Sequence, residues 1–559
     1  MEASARLARE RFAPHNRAAD QAEPRIEDGR VRLHPDVKTA LDAYAQAGFS
    51  ALLADEDDGG LQLPYAVALL CDADFLAANV STTGYALLAR GVANLLGVHG
   101  SDEQRRLYRQ PILEGRYLGT MCLSEPQAGS SLGDIATRAE PAGDGRFRLS
   151  GQKMWISAGE HELAENIVHL VLARIAGAPP GVKGLSLFVV PRIRVDADGR
   201  LGERNDVRLA GLNHKVGQRG IVNTVLSFGE AGECIGELVG QPHQGLAQMF
   251  HMMNEARIGV GLGAIMQGLA GYDYALGYAR ERRQGRHPDQ KDPLSAPVPL
   301  IEHADVRRML LQQKCWCEGA FALAIRAALL VDARDHAADA GERERAGLVL
   351  ELLTPVVKAW SAEWCTRAND LAIQVLGGYG YSRDYPVEQF WRDNRLNPIH
   401  EGANGIQAID LLGRKVLMAD GAALRAILDE MLAEAKAAAA VPALAEHART
   451  LEAACGTVAR VTGALAARMA AGEVRPALAH ASAYLTLVGH VLVAWMWLRQ
   501  ARLGMAALAV ASEGDRDFYL GKRHACDFFF RHELPPVLAS AGLLCAGDDA
   551  LLAMQPAQF

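Results

Sequence analysis

Apolar residues recur at three- and four-residue spacing through PDVKTALDAYAQAGFSALLA and SDEQRRLYRQPILEG, which predicts a mostly helical segment over residues 1–118. Ser101 followed by Gln104 has the form of a capping box, so a helix is expected to begin there. The pattern changes near Tyr117. RFRLSGQKMWISAG, NIVHLVLARIA and KGLSLFVVPRIRV are short β-rich runs divided by Gly, Pro and Asp turns, which predict an antiparallel β domain over residues 119–240. Helical spacing returns in GLAQMFHMMNEARIGVGLGAIMQGLAGYDYALGYARERR and lasts, with breaks, to about Leu417, a helical bundle over residues 241–417. Residues 418–559 read as Ala- and Leu-rich helices, with Pro442 marking a break between two of them. The fold class is therefore mostly α with a central β domain. It does not alternate βαβ, which argues against a nucleotide site of Rossmann type.

Length and composition sharpen this picture only a little. At about 150 residues per domain, 559 residues imply three or four domains or layers. Half the residues are hydrophobic and 22% are charged, which excludes a disordered or collagen-like chain. A formal net charge of −8 makes a general nucleic-acid binder a poor fit, since such binding needs many phosphate contacts. The nine cysteines are scattered, and the single close pair, Cys315 and Cys317, lacks a second pair or a nearby His at zinc spacing. No metal site is expected, and reduced, buried thiols in a cytoplasmic protein are the better reading. The opening MEASARLARERF carries charges and no apolar core, so no secretory signal is expected there. The run Ala481–Leu498 reaches the length of a membrane span, but it carries Thr486, Gly489 and His490. A core helix buried on all sides is expected, with a membrane-docking helix the alternative. GVGLGA, residues 259–264, follows a helical pattern and does not complete G-x-G-x-x-G, so its glycines are expected to serve close helix packing. HELAE and HELPP each lack the second His of a zinc site.

Four strings carry candidate chemistry. MCLSEPQAGSS, Met121 to Ser131, offers small and hydroxyl residues that let donors approach a planar polar ligand or a phosphate; a plain turn is equally open. In GQKMWISAG, a Trp followed two residues later by a Ser on a strand puts the Trp155 indole and the Ser157 hydroxyl on one face, unless the Trp is simply core. QVLGGYGYSRDYPVEQFWRD has paired glycines that allow backbone contact with a ligand. In NPIHEGANGIQAIDLLGRK, Glu401 precedes a Gly and an expected helix start, where a carboxylate is usually a cap or an ion-pair partner.

Taken together and in this order, CLSEPQAGS, GQKMWIS, GGYGY and HEGANGIQ resemble the acyl-CoA dehydrogenase family of flavoproteins over about residues 40–415. The extra C-terminal helices, with NEARIGVG, ENIVHLVLARI and KGLSLFVVPR, resemble its larger bacterial branch, which includes the 3-methylmercaptopropionyl-CoA dehydrogenases. The resemblance implies an N-terminal helical domain, a middle β domain and a four-helix bundle, with FAD as cofactor and an acyl-CoA as substrate. It implies that Met121 to Ser130 line the flavin, with Leu123 and Ser124 at its pyrimidine end and Ser130 near the pyrophosphate and the pantetheine. Trp155 would lie beside the isoalloxazine and Ser157 would donate to flavin N5. Arg282 matches an arginine that reaches the FAD of a neighbouring subunit, and Gln284 stands where the family has an aromatic contact. Gln374, Gly377 and Gly378 match the piece that crosses to the neighbour's adenosine. Glu401 matches the catalytic base, and the backbone N–H of Glu401 is expected to hold the thioester carbonyl. Arg257 matches an arginine near the base, Asn254 a substrate-contacting Asp, and Gly402 lies beside the substrate. Ala403 replaces a Thr that would contact the flavin, His400 stands where Tyr is commoner, and the N-terminus looks short for the larger branch.

The reaction implied is α,β-desaturation of an acyl-CoA, with electrons passed to an electron-transfer flavoprotein. A homodimer is implied, because residues for the neighbour's flavin are present. An acyl-CoA oxidase, and a non-catalytic or DNA-associated flavoprotein relative, are the competing readings. Arg499, Arg502, Lys522, Arg523 and Arg531 are interspersed with acidic and apolar residues and give little support to a nucleic-acid surface.

Overall fold

The computed structural model describes residues 1–249 and 255–559 with their side chains; the substrate-contact expectation for Asn254 lies outside the described residues. The chain divides into two compact units, Met1–Ala256 and Arg257–Phe559. The division falls within one long helix, Gly245–Glu281.

The first unit opens with short helices and then a hairpin, β1 (Arg25–Glu27) and β2 (Arg30–Arg32), which helical spacing did not predict. The helices Pro35–Gln46, Tyr65–Ala78 and Val80–His99 follow. Phe12, Tyr44, Phe49 and Phe75 pack ring to ring among them, with Phe12 and Phe75 4.8 Å apart at their centroids. The expected cap is present: Ser101 Oγ accepts from Gln104 N at 3.1 Å, and Gln104 Oε1 accepts from Ser101 N at 3.2 Å. The helix it starts runs, through one π-type turn, to Leu113.

The remaining strands are β3 (Tyr117–Cys122), β4 (Arg138–Gly143), β5 (Arg146–Ser157), β6 (Asn166–Ile175), β7 (Leu185–Pro191), β8 (Ile193–Val195), β9 (Leu201–Arg204), β10 (Val207–Leu212), β11 (Asn223–Phe228) and β12 (Ile235–Leu238). Strands β8 and β9 pair by themselves. Among the described residues, eight strands form one sheet in the order β10-β11-β5-β12-β7-β6-β3, with β4 against β5 and β6. Most pairings are antiparallel as expected, but β3–β6 and β4–β6 are parallel. The physical reason lies in β6, whose first eight residues are all buried. A strand buried without alternation is covered on both faces, and its pattern does not encode direction. The helix Val80–His99 lies close along β3, where a Cβ at Gly119 would sit 2.7 Å from Val92. That close approach seats the strand leading into MCLSEPQAGSS.

In the second unit the helices Ala304–His336 and Ala340–Leu376 pack along one another and against the helix that begins before Arg257. Of the GVGLGA glycines, Gly261 is a packing residue, since a Cβ there would lie 2.6 Å from the Val357 carbonyl oxygen, whereas a Cβ at Gly259 would meet nothing within 4 Å. The chain breaks at Pro442, between the helices Met418–Ala439 and Ala445–Ala470. The helix Ala481–Ala507 is the one helix among the described residues long and apolar enough to cross a membrane, and it is mostly buried within the protein. Its fit is close, since a Cβ at Gly489 would lie 2.2 Å from Trp360, and Trp497 Nε1 donates to the Cys315 carbonyl at 2.9 Å. The C-terminal helices therefore share a core with the bundle.

Candidate active site

Glu401 lies on a turn ahead of the helix Asn404–Gly413, whose N-cap is Ala403. Glu401 has φ +51° and Gly402 has φ +87°, two left-handed residues in succession. Glycine adopts that conformation freely, whereas a glutamate there needs surroundings that hold it. The holding contacts are specific. Lys358 Nζ, from the helix Ala340–Leu376, donates to the Gly402 carbonyl at 2.7 Å and to Asn404 Oδ1 at 3.3 Å. Gln407 Nε2 donates to the Glu401 carbonyl at 3.0 Å. His400 Nε2 meets Asn397 Oδ1 at 3.0 Å, and Asn397, Asn394 and Asn369 continue as a buried amide chain at 2.9 and 2.7 Å.

The Glu401 carboxylate is half-buried and has no hydrogen bond or ion pair among the described residues. Burial pushes its pKa up, while the charges of Arg257 and Lys358 pull it back. Arg257 is paired with Asp410 at 3.4 Å, and Asp410 also meets Arg414 at 2.8 Å. Burial brings the Lys358 ammonium down to about 7, against the opposing pull of Glu401. Burial, aided by Lys358, brings His400 down to about 3, so its ring is neutral at ordinary pH. The Glu401 N–H likewise has no acceptor among the described residues. A carboxylate of raised pKa beside a free N–H can remove a proton from a carbon acid whose carbonyl that N–H holds.

In the first unit, Leu123, Ser124, Trp155 and Ser157 come together. Met154 N donates to the Ser124 carbonyl at 3.0 Å, and Lys153 Nζ donates to the Leu123 carbonyl at 2.9 Å. Lys153 also pairs with Glu125 at 2.9 Å, with side chains 0% and 2% exposed. Glu125 further accepts from Ala136 N and from Thr137 N and Oγ1. Burial pushes Glu125 up, but Lys153 and these donors outweigh it and hold its carboxyl at about 2. The pair thus fixes the shape of the loop that follows β3. Trp155 is 57% exposed, Ile156 is buried and Ser157 is partly exposed, the alternation expected of a shared face. The strand is not regular, however. Trp155 has φ +64°, and β5 carries one extra residue between Lys153 and Ile156 relative to β11. A bulge of this kind re-aims a side chain, and here it turns out the indole. Ser157 Oγ accepts from Asn223 Nδ2 at 3.1 Å.

The comparisons agree with one another. Residues 120–230 match the model of the acyl-CoA dehydrogenase middle domain, residues 243–417 that of the acyl-CoA dehydrogenase C-terminal domain, and residues 427–555 that described as acetyl-CoA dehydrogenase C-terminal like. The chain is 36% identical to 3-methylmercaptopropionyl-CoA dehydrogenase of Ruegeria pomeroyi, over 99% of this chain and 92% of that one. The chain belongs to the acyl-CoA dehydrogenase family. A second relative is the broad-specificity linear acyl-CoA dehydrogenase FadE5 of Mycobacterium tuberculosis, 35% identical over 95% of this chain and 88% of the relative. The fold matches the crystal structure of an acyl-CoA dehydrogenase complexed with FAD from Bacillus anthracis, with a TM-score of 0.76, 18% identity, and coverage of 98% and 88%.

This acyl-CoA dehydrogenase is an oxidoreductase with FAD as its cofactor. The β-domain residues fit a flavin. A large aromatic ring left exposed by a bulge offers a stacking face, and the rigid loop beside it presents small residues. Of the other expected contacts, Met121 lies near the end of β3, and Ser130 is exposed beyond the Glu125–Ala128 bridge. In the second unit Arg282 lies with its guanidinium 5.4 Å from the Tyr379 ring centroid, beside the exposed Gly377 and Gly378. Gly377 has φ +62°, and Gln374 and Gln284 are exposed. This cluster is separate from the Glu401 turn: residues 358 and 374 are about 24 Å apart along their helix, at about 1.5 Å per residue. Sequence reasoning did not single out Lys358, Gln407, Asn397, Glu125 or Lys153. A lone Lys within the apolar run LLTPVVKAW was the available signal for Lys358.

Proposed function

We propose that this acyl-CoA dehydrogenase uses Glu401 as the base that removes the α-proton of an acyl-CoA thioester. The carrying observation is the Glu401 carboxylate: half-buried, raised in pKa and without a hydrogen-bond partner among the described residues, on a turn pinned from three sides. The α-proton of a thioester is a weak acid, and a partly dehydrated carboxylate is a stronger base than one in water. The Glu401 N–H donates to the thioester carbonyl as negative charge gathers there. Arg257 and Gly402 border the acyl group, and Asn254 and Ser130 contribute to the substrate site. Bound FAD supplies the acceptor for the β-hydride.

In this reading Met121, Leu123, Ser124, Ser130, Trp155 and Ser157 hold the flavin, and Ala403 leaves it one contact short. Arg282, Gln284, Gln374, Gly377 and Gly378 reach the flavin of a second copy, so the protein works as a symmetric homodimer. Support comes from the exposed arginine and glycine turn, where Arg282 finds no acidic partner within its own unit among the described residues. An arginine fork suits phosphate oxygens. Electrons pass on to an electron-transfer flavoprotein, in cytoplasmic fatty-acid β-oxidation.

The test is anaerobic titration with acyl-CoAs, including linear chains and 3-methylmercaptopropionyl-CoA, the classes named for the two relatives. The wild-type flavin should bleach with at least one of them. Glu401→Gln should bind FAD and acyl-CoA without bleaching. Bleaching by the Gln variant at the wild-type rate would move the base to another carboxylate, Glu255 first.

A further inference from the structure

Lys358 is fully buried, and buried lysines are rare without a partner carboxylate. Among the described residues no carboxylate lies within ion-pair distance of its ammonium. Its two hydrogen bonds both end on one short segment, the Gly402 carbonyl and the Asn404 side chain, which bracket Ala403 two residues after Glu401. A cation is costly to bury. This one is spent on neutral acceptors, beside the turn that carries Glu401.

We propose that Lys358 is a positioning residue for proton abstraction: its ammonium fixes the Gly402–Ala403 peptide, one residue past Glu401, and sets a cation beside the Glu401 carboxylate. The proposal rests on Glu401 as the base. Two effects follow. The bond to the Gly402 carbonyl fixes the Gly402–Ala403 peptide unit, while Gln407 fixes the Glu401–Gly402 unit, and together they hold the left-handed turn that aims the carboxylate. Below about pH 7, where the Lys358 ammonium keeps its proton, the positive charge favours the ionised carboxylate, so more of the base is ready at a given pH. The charged and titratable groups facing this pair come from every neighbouring element. Arg257 comes from the helix Gly245–Glu281 and is itself paired with Asp410. His400, on the turn, is neutral. Glu363, one helical turn beyond Lys358, touches Asn404 Nδ2 at 3.5 Å. Lys415 adds no cation to the carboxylate, as it pairs with Glu351. Lys358 and Arg257 are therefore the cations that act on Glu401 among the described residues.

The experiment compares wild type, Lys358→Met, Lys358→Arg and Glu401→Gln, each as FAD-loaded enzyme. Flavin reduction by acyl-CoA is followed by stopped flow across pH, with thermal melting of each variant alongside. Lys358→Met should lower the limiting rate about tenfold, the worth of one hydrogen bond from a charged donor. Its midpoint should move to higher pH, because the carboxylate loses a cation. Lys358→Arg should keep the wild-type midpoint with a reduced limiting rate, since the charge remains while the planar fork fits the two acceptors less well. A purely structural lysine predicts a lower melting temperature with rate and midpoint per loaded enzyme unchanged, and that result would overturn the proposal. Should the Met variant fail to load FAD, the Arg variant decides: a shifted midpoint or an undiminished rate sinks the idea. Glu401→Gln separates the two claims. If it is inert while Lys358→Met behaves as wild type, the base stands and Lys358 is dismissed. If it still reduces flavin at the wild-type rate, the base assignment falls and this proposal falls with it.

Discussion

At the scale of single residues, the state of Glu401 sets how the enzyme should respond to pH. Burial raises its carboxyl pKa, so on acidification the protonated, inactive form accumulates sooner than it would for a carboxylate in water. Flavin reduction should therefore rise with pH through a midpoint above the ordinary glutamate value. Glu401→Gln should flatten this profile and cut the rate by roughly 100- to 10,000-fold. Trp155 makes a different prediction. Its indole is 57% exposed, so it contributes little to the core of the chain. Trp155→Ala should change stability by no more than about 1 kcal/mol. FAD retention on gel filtration should nonetheless fall; full retention would remove Trp155 from the flavin site. The sequence singles out both residues because they stand in strings whose order resembles a family. The left-handed turn of Trp155 was not legible, since no glycine marks the bulge.

At the scale of elements, the buried Lys153–Glu125 pair decides the shape of the loop after β3. Removing one member leaves the other charge buried, a loss of about 3–5 kcal/mol. Lys153→Met should lower the denaturation midpoint and loosen FAD together; a change in neither would make the pair incidental. The carboxyl of Glu125 is held at about 2, below its unfolded value. Its stabilisation is thus present above the unfolded pKa and is lost as pH falls towards 2. Acid denaturation of the Glu125→Gln variant should accordingly lack that part of the wild-type pH dependence. Both residues lie within strings that were read from the sequence, yet their partnership was hidden. They are 28 positions apart and meet only because β5 folds back beside the loop. Parallel pairing of β3 with β6 was hidden for a related reason: a strand buried without alternation has no directional signature. The helix cap at Ser101 and the break at Pro442, by contrast, are local signals, and the structure carries both.

At the scale of the whole molecule, the order of helices, β sheet and further helices was readable from periodicity alone. The sharing of one core by the bundle and the C-terminal helices was not, because it depends on contacts such as Gly489 against Trp360. On the proposed reading, the exposed Arg282 and glycine turn reach the flavin of a second copy. Light scattering at micromolar concentration should give twice the chain mass, and Arg282→Ala should release FAD without unfolding the chain. A monomer that retains its flavin would refute the crossing contact.

The left-handed backbone at Glu401 places stability and turnover under opposed selection. A glycine there would relax the backbone, and an asparagine is tolerated better than most side chains in that region. Either would also spare the protein a half-buried carboxylate. A library of substitutions at position 401, sorted for abundance in cells, should therefore enrich glycine and asparagine over the resident glutamate. The same library sorted for flavin reduction should return glutamate. Thermostabilisation of this enzyme by abundance alone would discard the proposed base early, unless position 401 is held fixed.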